Sequence, residues 1–87
     1  MTDAHVAQAI KSYILEEFLP REDPGSLTSS TPLISGGIVD SVGTINLVEF
    51  LEDRFDIIIA ADEVEPQNFD TIDLMAKFVE RKQADEA

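Results

Sequence analysis

The residues best placed to do chemistry are Asp40-Ser41-Val42, a hydroxyl between a carboxylate and an apolar side chain. They follow Gly36-Gly37-Ile38-Val39 and stand where an amphipathic helix begins. A serine hydroxyl at a helix N-terminus suits attachment of a phosphate-linked group. The free N–H groups of the first turn and the positive end of the helix dipole favour an anion there. The same serine is poorly equipped as a catalytic nucleophile, which needs an adjacent base. The single histidine, His5, lies near the N-terminus and reads as a solvated helix residue. Asp40 opposes a phosphate by its charge, yet suits a metal-bound phosphate donor during attachment. Serine is also common as an N-cap, so on local grounds alone a plain capping role for Ser41 leads.

Three long elements must position that hydroxyl. Val6, Ile10, Tyr13, Ile14 and Phe18 recur at three and four residues, which predicts a helix over 4–18. Pro20 ends it, because the residue before a proline is pushed out of the helical region. Residues 19–40 form a long connection rich in Pro, Gly, Ser and Thr. Leu27, Leu33, Ile34, Ile38 and Val39 are expected to pin it to the core. The second helix covers 41 to about 54, with Asp40 or Ser41 as N-cap and Leu47, Val48, Leu51 and Phe55 turned inward. Asp56 to Ala61 is an irregular link, since one β-favouring run has no partner strand. A short helical turn follows from Asp62 to about Gln67, limited by Pro66. The last helix runs from Thr71 to about Arg81, capped by Asp70 or Thr71, with Ile72, Met75, Phe78 and Val79 inward. Arg81-Lys82 suit its negative end, and the tail after about Gln83 frays. The expected architecture is all-α: a four-helix bundle, three helices longer and one short, in one domain over 1–87.

Charge is concentrated near Ser41. The chain carries a net −12, and residues 40–73 hold ten acids against one base, Arg54. Glu49, Glu52, Asp53 and Asp56 stand at i, i+3, i+4 and i+7, on one helix face opposite Leu47, Leu51 and Phe55. Val42 and Ile45 fall on the same acidic side. Two readings of that face are open: a small apolar spot with a carboxylate rim for transient docking, or Ile45 packed beneath the long loop.

Composition excludes several classes. A net negative chain is unsuited to nucleic acid, which needs Lys and Arg on its phosphates, and to anionic membrane surfaces. It favours basic protein partners. The absence of cysteine removes disulfides and thiolate ligands and fits a reducing compartment. Met1-Thr2-Asp3-Ala4-His5 lacks the basic start and apolar run of a signal peptide. The longest apolar run, Ile57 to Ala61, is too short to span a bilayer. The expected location is therefore cytoplasmic.

Asp40-Ser41-Val42 resembles the Asp-Ser-Leu modification motif of the acyl carrier and peptidyl carrier protein superfamily. The resemblance covers nearly the whole chain. It includes Gly-Ile-Val-Asp-Ser before an acidic second helix, a Phe-Asp-Ile-x-Ile segment and Asp-Thr-Ile before the last helix. It implies that Ser41, flanked by Asp40 and Val42, carries 4′-phosphopantetheine transferred from coenzyme A by a separate transferase. The arm's thiol would hold an acyl or aminoacyl group as a thioester for presentation to biosynthetic enzymes. The protein itself would catalyse nothing. Val42, Ile45, Glu49, Glu52 and Asp53 match the family's recognition helix, with Asp56 on the same face. Ile59 and the short third helix are expected to flank the arm's exit. The implied partners are the transferase, an activating ligase, and downstream transferases or synthases with basic docking patches, met by a monomer.

This sequence departs from the usual motif at Val42, where Leu is common, and in the Gly43-Thr44 that follows. Gly43 weakens the first helical turn by roughly 1 kcal/mol relative to Ala. Gly37 to Thr44, with Arg54-Phe55-Asp56-Ile57, look more like D-alanyl carriers and free-standing aminoacyl carriers than like the fatty-acid housekeeping type. The housekeeping carrier is the alternative within the class. Outside it stands an unmodified acidic helical adaptor for basic partners. Asp62, Glu63 and Glu65 lack the spacing and central glycine of a calcium loop, so no metal site is expected.

Overall fold

Apolar stripes at helical spacing decide which elements meet. The computed structural model describes residues 2–86. Helix α1 is Thr2–Glu17, α2 is Ser41–Phe55, α3 is Pro66–Phe69 and α4 is Ile72–Glu86, with short 3-10 turns at Pro24–Ser26 and Ala61–Glu63. No strand occurs among the described residues. The chain is the all-α bundle that its periodicity predicts.

Helices α1 and α4 make the most extensive helix–helix contact. Val6, Ile10 and Ile14 of α1 and Met75, Ala76, Phe78 and Val79 of α4 are all buried there or nearby in one core. Burying each large side chain contributes about 1.5–3 kcal/mol, so this seam is a principal support of the fold. Helix α2 adds Leu47 and Leu51, both fully buried. Tyr13 stacks on Phe50 with ring centroids 4.1 Å apart, which ties α1 to α2, and Phe18 meets Tyr13 edge-on at the end of α1. Burial of the Tyr13 phenol, aided by the nearby Glu17 and Glu49 charges, raises its pKa.

The long connection is pinned as its apolar residues require. Leu27, Leu33 and Val39 are buried, with Ile34 and Ile38 packed against the core from its edge. Main-chain bonds fasten the same stretch to the start of α4. Leu33 N–H donates to the Asp70 carbonyl at 2.6 Å, and Asp73 N–H donates to the Ser29 carbonyl at 3.0 Å. Gly37 takes a left-handed φ of 81°, which an L side chain disfavours.

The structure corrects two boundaries. Pro66 does not limit a single turn over 62–67. It opens α3 as its first residue, where its missing N–H is one of the helix-end orphans in any case, and a separate 3-10 turn precedes it. Helix α4 continues to Glu86 instead of ending near Arg81, because nothing after Lys82 is a glycine or proline. Arg81 and Lys82 therefore stand before the last turn and serve as ties. Lys82 Nζ pairs with Glu63 Oε1 at 3.0 Å, and Arg81 Nη2 donates to Asn68 Oδ1 at 3.2 Å. Thr71 Oγ1 accepts from Leu74 N–H at 3.0 Å and caps α4, which frees the Asp70 carboxylate for the loop.

Candidate functional site

Asp40, not Ser41, is the N-cap of α2. Its backbone is extended, and its Oδ1 accepts from Gly43 N–H at 2.7 Å. Its carbonyl accepts from Thr44 N–H at 2.8 Å and from the Thr44 hydroxyl at 2.9 Å. Ser41 is the first helical residue. It is exposed, and its hydroxyl has no hydrogen-bond partner among the described residues. The capping role that led on local grounds is thus taken by the neighbour.

Gly43 has a packing reason that propensity hides. A Cβ there would lie 2.6 Å from Phe18 Cε1 and 3.2 Å from Asp40 Oδ1. The absence of a side chain lets the first turn of α2 rest on the end of α1, so the hydroxyl is mounted on a backed surface.

Beside Ser41 opens a groove of about 390 Å³. Ile34 lines it from the long connection, Thr44 and Ile45 from α2, and Val64, Glu65 and Pro66 from the entry to α3. A hollow of about 450 Å³ lies between α1 and α2, lined in part by Tyr13, Phe50 and Arg54. Ser41 does not line that larger hollow, so the smaller groove is the one joined to the chemistry.

The outer face of α2 divides the predicted docking residues. Val42 is 67% exposed and Ile45 60% exposed, with Glu49, Asp53 and Asp56 exposed too. Ile45 is therefore not packed beneath the long loop. Glu52 differs from the other acids. It is half-buried, and its Oε2 accepts from Ile59 N–H at 2.8 Å. Asp56 ends α2 in the left-handed region at φ 55°, donating its N–H to the Glu52 carbonyl. Asp tolerates that conformation better than most residues.

Ile59, expected to flank the arm's exit and to meet partners, does not line the groove beside Ser41. It is 9% exposed and belongs to the core, whereas Ile58 is 74% exposed. Burial alternates from Ile57 to Ala60, so successive side chains fall on opposite sides. Ile57 and Ile59 take the inner side. The parity of three consecutive isoleucines is invisible in sequence. In the fold, core packing of Ile57 and Ile59 goes with the bonds from Ile57 N–H to the Glu52 carbonyl and from Ile59 N–H to the Glu52 carboxylate. Val64 and Pro66 belong to the short third element expected to flank the arm's exit, whereas Ile34 is expected only as a core pin. That these segments, 30 residues apart, meet beside Ser41 is not legible along the chain.

Two carboxylates outside that face have lowered pKa values. Asp70 is held down first by the Ser35 N–H and then by the Ser35 hydroxyl, with Ile34 and Leu33 N–H adding. Glu63 is held down first by the Ala60 N–H and then by Lys82. Both are ties between segments.

The chain matches no model of a known protein family. It is 38% identical over 73 residues to the probable acyl carrier protein PigG of Serratia sp. (strain ATCC 39006), covering 84% of this chain and 83% of that protein. The relative's likeness runs through most of a helical bundle whose exposed serine heads an acidic helix. The chain belongs to the acyl carrier protein family.

Proposed function

We propose that this carrier holds its acyl or aminoacyl cargo as a thioester on a 4′-phosphopantetheine arm attached through Ser41 Oγ. The observation that carries the reading is the exposed Ser41 hydroxyl, unbonded among the described residues while Asp40 does the capping. Attachment forms a bond from Ser41 Oγ to the pantetheine-side phosphorus of coenzyme A and breaks the bond from that phosphorus to the bridging oxygen. Adenosine 3′,5′-bisphosphate leaves, and the hydroxyl proton passes to a base of the transferase. A phosphodiester at that position lies at the N-terminus of α2, where first-turn N–H groups lack intrahelical acceptors. The thiol supplied by the prosthetic group is consistent with a chain that has no cysteine.

The groove that Ile34, Ile45, Val64 and Pro66 share with Ser41 offers apolar cover beside the attachment point. Val42 and Ile45, with Glu49 and Asp53 around them, supply the docking face for a transferase, an activating ligase and downstream enzymes that carry basic patches. In this reading the protein works in the cytoplasm as a monomer and catalyses no step. An aminoacyl cargo is favoured by the Val42-Gly43-Thr44 continuation over the fatty-acyl alternative.

Intact mass measured after incubation with coenzyme A and a broad-specificity phosphopantetheinyl transferase tests the attachment. One phosphopantetheine is expected on the wild type and none on Ser41→Ala. A wild type left unmodified where an established carrier is modified leaves the unmodified adaptor in its place. Loading of the modified protein by amino-acid-activating and fatty-acyl-activating enzymes, compared side by side, decides the cargo class.

A further inference from the structure

The Asp70 side chain sits outside the acidic face and makes a set of contacts that capping does not explain. Its Oδ1 accepts from Ile34 N–H at 2.8 Å and from Ser35 N–H at 2.9 Å, and its Oδ2 accepts from the Ser35 hydroxyl at 2.8 Å. Its own N–H donates to the Pro66 carbonyl at 2.8 Å. Ile34 and Pro66 line the Ser41 groove from different segments. One residue thus bonds directly to both sides of the opening.

We infer that Asp70 is a positioning residue for the group borne on Ser41, fixing the separation of the two groove walls. This rests on the phosphopantetheine reading above. The long connection is otherwise irregular, and a groove edged by it needs a fixed anchor. Leu33, one residue before Ile34, is already held by the Asp70 carbonyl. The carboxylate adds the next two N–H groups, so Ile34 is held from both its own amide and its neighbour's. Loss of the carboxylate leaves the main-chain bonds from Leu33 to Asp70 and from Asp73 to Ser29 in place. The bundle is therefore expected to survive while Ile34 loosens.

The test uses the isotopically labelled 87-residue chain as wild type, Asp70→Ala, Asp70→Asn and Ser35→Ala. Amide exchange at Ile34 and Ser35 is expected to rise at least tenfold in Asp70→Ala, with buried amides of α1 and α4 unchanged. Asp70→Asn keeps an oxygen for both N–H groups and is expected to restore most of the protection. After modification with coenzyme A and transferase, the wild type is expected to show shifts of the Ile34 and Val64 methyl signals. In Asp70→Ala the Ile34 shift falls to half or less, and Asp70→Asn recovers it. A modified Asp70→Ala protein with a wild-type Ile34 shift overturns the inference. If Asp70→Ala does not fold, Ser35→Ala, which removes the Oδ2 bond, carries the comparison with Asp70→Asn as its control. Wild-type exchange at Ile34 together with a wild-type Ile34 shift in Ser35→Ala then overturns it. If the wild type accepts no phosphopantetheine, the carrier reading of Ser41 fails. The exchange arm then decides the wall, and unchanged protection at Ile34 and Ser35 in Asp70→Ala overturns it.

Discussion

The division of labour between Asp40 and Ser41 is what makes an available hydroxyl. A serine that caps a helix spends its oxygen on a first-turn N–H, whereas here Asp40 supplies that bond to Gly43. Asp40→Ala is expected to cost about 1 kcal/mol of stability, read as a lower thermal midpoint. Ser41→Ala should stay within about 0.5 kcal/mol of wild type, as surface changes usually do. Equal losses from both would return the cap to Ser41. Gly43 adds a second residue-scale test. Alanine is the better helix former by about 1 kcal/mol, but its Cβ would press on Phe18. Gly43→Ala is expected to destabilise by about 1–3 kcal/mol, the range for overpacking, and thermal unfolding measures the sign.

At the scale of elements, α2 carries carboxylates with two different duties. Glu49 and Asp53 face solvent, while Glu52 secures the Ile57–Ile59 segment through the Ile59 amide. Glu49→Lys is expected to leave the thermal midpoint close to wild type and to slow reactions with basic partners at low salt. Glu52→Lys is expected to lower stability by about 1–3 kcal/mol, because the Ile59 N–H loses its acceptor. Similar midpoints for the two variants would remove the distinction. The left-handed Asp56 at the end of α2 is an element-scale opportunity. Asp56→Gly relieves that conformation and is expected to raise stability by up to about 1 kcal/mol.

For the whole molecule, two electrostatic effects oppose each other as pH falls. A net charge of −12 makes the compact state repel itself, so mild acidification or added salt at neutral pH is expected to raise the thermal midpoint. Asp70 and Glu63 act in the other direction. Their folded pKa values are lowered by the bonds that tie segments together. Their stabilisation is complete above the unfolded carboxyl values of about 4. It is lost as pH falls through the lower folded values. Thermal melts of wild type and Asp70→Asn from neutral to acid pH isolate one part of this. The wild-type advantage is expected at neutral pH and should close in strong acid; a gap that widened there would contradict the sign.

The sequence alone determined the helices with long apolar stripes, the pinned loop, the acidic face and the serine to watch. Periodicity and composition are local, and α1, α2 and α4 each bury one face of a regular helix. It failed where a local preference had several equal solutions. Pro66 could end one turn or begin the next, Ile57-Ile58-Ile59 could bury either parity, and Asp40 or Ser41 could cap. The resemblance marked Ser41, but only tertiary structure showed which oxygen the cap used. Tertiary structure also decided that Asp70 serves the loop while Thr71 caps α4, and that Ile34, Ile45, Val64 and Pro66 meet around Ser41. Those outcomes depend on hydrogen bonds and contacts between residues as many as 36 positions apart, and no repeat along the chain encodes them.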